Sequence, residues 1–165
     1  MTLTLSPDAT SGRDPQAELK TSRFAVFRRG EQLFALDIGL VREVWPGAPL
    51  TRVARAGAHM QGVLSLRGEI LPVVVIDDWL GLPPRPDEPR EPILVLRQNE
   101  LLVGLRVDAI QGVVNIPNTE TQSHPSTEAH SLLMGLWQPP GQSPITLIDG
   151  TLLLDMLCRA TANNL

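Results

Sequence analysis

The stretch FAVFRRGEQLFALDIGLVREVW, from Phe24 to Trp45, decides how this chain folds, because the chain contains it twice in altered form. Shifted by 69 positions and without a gap, it lies on ILVLRQNELLVGLRVDAIQGVV, from Ile93 to Val114. Identities fall at Val26/Val95, Arg28/Arg97, Glu31/Glu100, Leu33/Leu102, Leu36/Leu105 and Val44/Val113. Most other positions exchange one apolar residue for another, as Phe34/Val103 and Val41/Ile110 do. Further on, Pro72-Val-Val-Val-Ile-Asp77 answers Pro144-Ile-Thr-Leu-Ile-Asp149. Residues of like character refill the same inward positions, which implies an internal duplication of one small sheet.

Within each copy the apolar residues come in short runs broken by turn signals, the pattern of strands rather than long helices. Three hairpins are expected: around Arg29-Gly30-Glu31, around Arg67-Gly68-Glu69, and around Gln98-Asn99-Glu100. Residues 83–92 hold five prolines in ten positions. That density excludes a helix and a central strand, and reads as a stiff, solvated connector between two halves. Two helices are expected. Asp77-Asp78 would cap a short one through Leu80, and Asp149 a longer one carrying Leu152, Leu153, Met156 and Leu157 on one face. The resulting expectation is an all-β chain with short helices. A disordered tail covers 1–22 and a single domain covers 23–160, with lobe one at about 23–82, the connector at 83–92, lobe two at about 93–157, and a tail at 161–165.

Composition narrows the function. The chain has 165 residues, 14 basic against 18 acidic side chains and a formal charge of −4. An acidic balance without tyrosine, and with three residues each of Trp and Phe, argues against a nucleic-acid binder, which needs basic excess and stacking surfaces. The longest apolar runs, such as Leu71 to Ile76, are too short to span a bilayer, and residues 1–22 lack an apolar signal core. One cysteine, Cys158, excludes an intrachain disulfide and reads as a small buried hydrophobe. His59, His124 and His130 are scattered and read as solvated loop residues rather than metal ligands. Asp77 and Asp78 invite an enzymatic reading, a metal-dependent site using both carboxylates, but adjacent residues diverge and helix capping accounts for them. What remains is an arginine in a tight turn, Arg67-Gly68, and an acid framed by apolar residues, Glu43. An Arg fork suits a carboxylate, so these two are expected within salt-bridge reach, with a solvated hairpin arginine as the competing reading.

The hairpin Gly62-Val-Leu-Ser-Leu-Arg67-Gly68-Glu-Ile-Leu-Pro72 resembles the signature of the CheW-like chemotaxis coupling (adaptor) family, with Ser65 where the family usually has Asn. The segments Phe24–Trp45, Leu50–Val53, Leu101–Val114 and Ile145–Leu154 resemble that family in the same order. Gly57 and His59 depart from it, where Pro and an aromatic or aliphatic residue are usual, and so does Trp45. The resemblance implies two SH3-like five-stranded β-barrel lobes and a C-terminal helix. It also implies a cytoplasmic protein without catalytic residues, cofactor or metal. Its partners would be methyl-accepting chemotaxis-type receptors and the regulatory domain of a histidine kinase, with room for weak self-association. Carried over residue by residue, the receptor-binding groove would comprise Val41, Glu43, Val44, Gly62, Arg67, Gly104 and Ile110. Kinase contact would fall on Leu33, Ile38 and Leu50. A regulator that binds the kinase alone is the alternative, and it would need the groove occluded by Trp45 or by the 118–130 loop.

Overall fold

The computed structural model describes residues 20–86, 88–122 and 132–162. Ten strands form two five-stranded sheets. In chain order they are β1 (Thr21–Arg29), β2 (Gln32–Asp37), β3 (Val41–Trp45), β4 (Met60–Leu66), β5 (Glu69–Val74), β6 (Ile93–Gln98), β7 (Leu101–Arg106), β8 (Ala109–Pro117), β9 (Leu133–Trp137) and β10 (Ile145–Ile148). Among the described residues one α-helix, α1 (Gly150–Ala162), follows the strands.

All three expected hairpins form. Phe27 pairs with Phe34 across β1–β2, Ser65 with Ile70 across β4–β5, and Leu96 with Val103 across β6–β7. The turns keep the duplication: Gly30 and its counterpart Asn99 both adopt positive φ, 64° and 54°. Asn is among the few residues with a Cβ that tolerate that conformation, so the second copy manages without glycine.

The sheets do not divide the chain at the connector, as the contiguous lobes 23–82 and 93–157 would require. One sheet runs β8-β1-β2-β10-β9 and the other β3-β6-β7-β5-β4. Each is built on the hairpin of one copy and completed by three strands of the other. The exchanged joints are parallel: Leu147 pairs with Ala35 between β10 and β2, and Val73 with Gly104 between β5 and β7. The antiparallel partners are exchanged in the same way, Phe24 with Val114 and Val44 with Leu94. The chain is a duplicated pair whose hairpins have changed places.

This exchange explains why β1 and β6 carry unbroken apolar runs where a half-exposed strand would alternate. Phe24 and Val26 pack with Ala35, Ile116, Ile145 and Leu147 inside the first lobe. Ile93 and Val95, their counterparts, pack with Leu66, Leu71 and Val73 inside the second. The intervening residues Phe27, Leu94 and Leu96 face the opposite way, into a core shared by both sheets with Phe34, Leu36, Val103, Leu105 and α1. Strands buried on both faces read as continuous hydrophobic runs. Helix α1 supplies Leu153, Leu154 and Leu157 to the shared core, and its start is capped as expected, with the Leu152 amide donating to Asp149 at 3.0 Å.

Three boundaries differ from the sequence expectation. β1 begins at Thr21 and the Ser22 hydroxyl donates to Asn118, so the ordered part starts inside the expected tail of 1–22; residues 1–19 lie outside the described residues. α1 reaches Ala162, past the expected limit at 160. Residues 77–81 form hydrogen-bonded turns, with the Leu80 amide on the Ile76 carbonyl and the Leu82 amide on the Asp77 carbonyl, and no helix develops before Gly81 and the prolines. Cys158 is exposed, because Leu153, Leu154 and Leu157 take the buried face of α1.

Candidate functional site

The turn between β4 and β5 has two central residues, Arg67 and Gly68, both at positive φ (48° and 83°), the geometry of a type I′ hairpin. Glycine suits its position; arginine does not, so Arg67 holds a costly conformation that fixes where its side chain starts. From there its guanidinium donates to Glu43 of β3 at 3.0 Å and lies 5.9 Å from the Trp45 ring. Beside it, Arg42 donates to Glu69 at 3.1 Å. β3, an edge strand of the second sheet, is thus tied to the β4–β5 turn and to the first residue of β5 by two ion pairs. The Arg67 side chain is 60% exposed and that of Glu43 21%, a surface pair in which Trp45 shields one side.

The other candidate groove residues fall into three settings. Val41 and Ile110, counterparts in the duplication, are half-buried and pack against the shared core from β3 and β8, the edge strands of the two sheets. Val44 and Val113 are also counterparts on those strands, and they point outward, 47% and 48% exposed. Gly62 and Gly104 are buried. A Cβ on Gly62 would stand 2.7 Å from the Thr51 carbonyl oxygen, and one on Gly104 would stand 2.6 Å from Ile93 Cγ2. Both glycines therefore permit close packing of neighbouring chain segments, and Gly104 has no face toward a groove. Ile70, 72% exposed beside the Arg67 turn, is the most exposed large apolar side chain among the described residues and had no role in the sequence reading. Of the kinase-contact candidates, Leu33 packs on the edge of the first lobe's core and Leu50 on that of the second, while Ile38 lies half-buried in a single 3-10 turn.

The carboxylates once considered for chemistry are engaged elsewhere. Asp77 does not cap a helix; it receives Arg29 through two hydrogen bonds, 2.6 Å from Nε and 2.8 Å from Nη2. Arg29 Nη1 reaches Glu91 and Asp108, each at 3.0 Å, and Arg85 of the connector closes the cluster by pairing with both of those acids. Burial opposes the charge on Arg29, but its hydrogen bonds to Asp77 and the fields of Asp77, Glu91 and Asp108 outweigh it, holding the guanidinium above its usual value. The connector is therefore clasped to the β1–β2 and β7–β8 turns instead of standing free in solvent. Arg29 drew no notice in the sequence. Its mismatch with Gln98 did not set it apart, because Gln32/Leu101, Asp37/Arg106, Arg42/Gln111 and Glu43/Gly112 differ as much in the same alignment.

Asp78 points away from Asp77 and meets His59 Nε2 at 2.9 Å, and the His59 ring lies 4.0 Å from that of Trp79. His59 is thus a packed residue tying the loop before β4 to the turn after β5, not a solvated one. His124 and His130 lie outside the described residues. Among the described residues no three His, Cys, Asp or Glu side chains are grouped to hold a metal.

Two mixed sheets with exchanged hairpins, one shared core and their distinctive polar chemistry at surface turns define a two-lobed β protein. Residues 23–158 match the family model described as the CheW-like domain, and the chain belongs to that family. A Rhizobium etli protein named as a probable chemotaxis protein CheW is 34% identical over 99 residues, which is 60% of this chain and 64% of that relative's length. The chemotaxis protein CheW of Thermotoga maritima is 33% identical over 104 residues, 63% of this chain and 67% of that protein. Among solved structures, the scaffolding protein TtCheW from Thermoanaerobacter tengcongensis superposes with a TM-score of 0.69 at 25% identity, covering 79% of this chain and 90% of that one. No helix among the described residues is long and apolar enough to cross a membrane.

Proposed function

We propose that this chain is a non-enzymatic cytoplasmic adaptor that couples methyl-accepting chemotaxis-type receptors to the regulatory domain of a histidine kinase. The observation that carries the reading is the CheW-like match over 23–158, which takes in both sheets and most of α1. The similar proteins named for chemotaxis and scaffolding support it.

The receptor would meet the rim formed by Val41, Glu43, Val44, Arg67 and Ile110. Apolar side chains there are already partly dehydrated, and the Glu43–Arg67 pair offers a fixed polar landmark. Gly62 and Gly104 would contribute by holding the strands beneath it close together. The kinase would contact Leu33, Ile38 and Leu50. Trp45 packs against the second lobe's core and shields only one side of the Glu43–Arg67 pair, leaving the Arg67 side chain 60% exposed, which favours the full adaptor over a regulator occluded by Trp45. Residues 123–130 of the 118–130 loop lie outside the described residues.

The test is a pull-down of wild type, Arg67→Ala and Ile110→Asp with receptor fragments and with the kinase regulatory domain, alongside thermal melts. Ile110→Asp forces a carboxylate to lose its water on docking with no partner waiting, so receptor capture is expected to fall about tenfold or more while kinase capture persists. Receptor and kinase binding at wild-type strength by a normally melting Ile110→Asp protein would remove the rim as the receptor site.

A further inference from the structure

We propose that the loop before β4 forms a second docking site, for a short acidic peptide segment carrying an apolar side chain next to its carboxylate. It lies at the opposite end of β4 from Arg67, about 20 Å of strand away, and does not depend on the receptor rim.

Two depressions share Val53, Arg55, Ala56 and Met60. One, of about 300 Å³, is completed by Arg52 and Gln61. The other, of about 250 Å³, is walled on its far side by Val74 and by Leu157 and Ala160 of α1. The first holds two guanidinium groups for which no acid supplies an ion pair among the described residues. Arg55 sits at φ +59°, a conformation a β-carbon disfavours, in a protein that otherwise reserves such turns for hairpin tips and glycines. Gln61 is the residue left out of the β4–β5 ladder, since Met60 pairs with Val74 and Gly62 with Val73. A bulge of this kind re-aims a side chain, and here it tucks the Gln61 Oε1 under the loop, where it meets no donor among the described residues and leaves the mouth of the depression to the arginines.

These features call for different groups on one ligand. Two unpaired arginines take carboxylates. The adjoining depression, floored by Val74 and Leu157, takes an apolar side chain of leucine or phenylalanine size. A phosphate would satisfy only the first of the two.

The probe is the peptide acetyl-Glu-Asp-Leu-Phe-Glu-amide, titrated to millimolar concentration into the ¹⁵N-labelled full chain and followed by amide chemical shifts. The expected result is a set of shifts confined to Arg52, Val53, Arg55, Gln61 and the α1 residues Leu157 and Ala160. Arg52→Gln and Arg55→Gly are each expected to weaken binding about tenfold. Arg55→Gly also relieves the backbone strain, so its melting temperature stays level or rises and lost binding cannot be ascribed to unfolding. The proposal fails if the peptide shifts no resonances there, if the acid-to-amide peptide or the double variant binds equally well, or if inorganic phosphate reproduces the same shifts and displaces the peptide.

Discussion

Arg29, Arg67 and Arg106 carry the same planar fork into three surroundings. Arg29, 3% exposed, is held by three acids, so Arg29→Met leaves Asp77 and Asp108 buried without their main counter-charge. Its expected cost is about 3–5 kcal/mol by urea denaturation, and a loss under ~1 kcal/mol would mean the cluster is dispensable. Because the folded-state pKa of Arg29 is raised, its contribution is complete below the ordinary guanidinium value and is lost only as strong alkali passes the folded one. The deficit of Arg29→Met is therefore expected to stay constant from neutral to mildly alkaline pH, and one that shrinks over that window would contradict the assignment. Arg67→Ala removes a surface pair and is expected to cost about 0–1 kcal/mol, whatever it does to binding. Among the described residues, buried Arg106 has one side-chain hydrogen bond, 3.4 Å to the Ala48 carbonyl, and no acceptor for its Nε. Arg106→Met is expected to hold or raise the melting temperature, and a fall of several degrees would show that the charge is matched after all.

At the scale of elements, the exchange of hairpins sets what can fold alone. A fragment covering 20–86 holds β1–β2 without β8 and β10, and β4–β5 without β7, so every parallel joint is missing. The fragments 20–86 and 88–162 are each expected to show no dispersed amide spectrum and to fold when mixed. A well-dispersed spectrum from either one alone would mean that strands pair within a half. The hairpins themselves were legible in the sequence, since two-residue turns bounded by apolar runs are local signals. So was the duplication, because it is a comparison of the chain with itself. The exchange was not, because Leu147 against Ala35 and Val73 against Gly104 are partners far apart in sequence, and an apolar run reads the same whichever half supplies its neighbour. Of the candidate site, the Glu43–Arg67 pair was legible through an arginine placed in a tight turn. The burial of Gly104 was not, because a glycine in a strand looks alike whether it faces a ligand or a packed isoleucine.

For the molecule as a whole, the shared core means that neither lobe keeps its interior if the other opens. Phe27, Phe34 and Leu36 of one sheet pack in the same cluster as Leu94, Leu96 and Leu105 of the other. Unfolding is therefore expected as one transition, with calorimetric and van't Hoff enthalpies equal. Two resolved heat-absorption peaks would show that the lobes are separable.

The exchanged order of strands also sets a timetable for synthesis. The second sheet needs nothing beyond Arg106, whereas the β1–β2 hairpin waits for β10, which ends at Ile148, about a hundred residues after β2 is made. At about 5–20 residues per second, the β1–β2 hairpin spends roughly 5–20 s outside the ribosome before both β8, the second partner of β1, and β10, the second partner of β2, have joined it. A strand destined to be covered on both faces is then bare on both. The first of the described strands to be made belongs to the last sheet to be completed, and it is there that a nascent-chain chaperone would find its substrate.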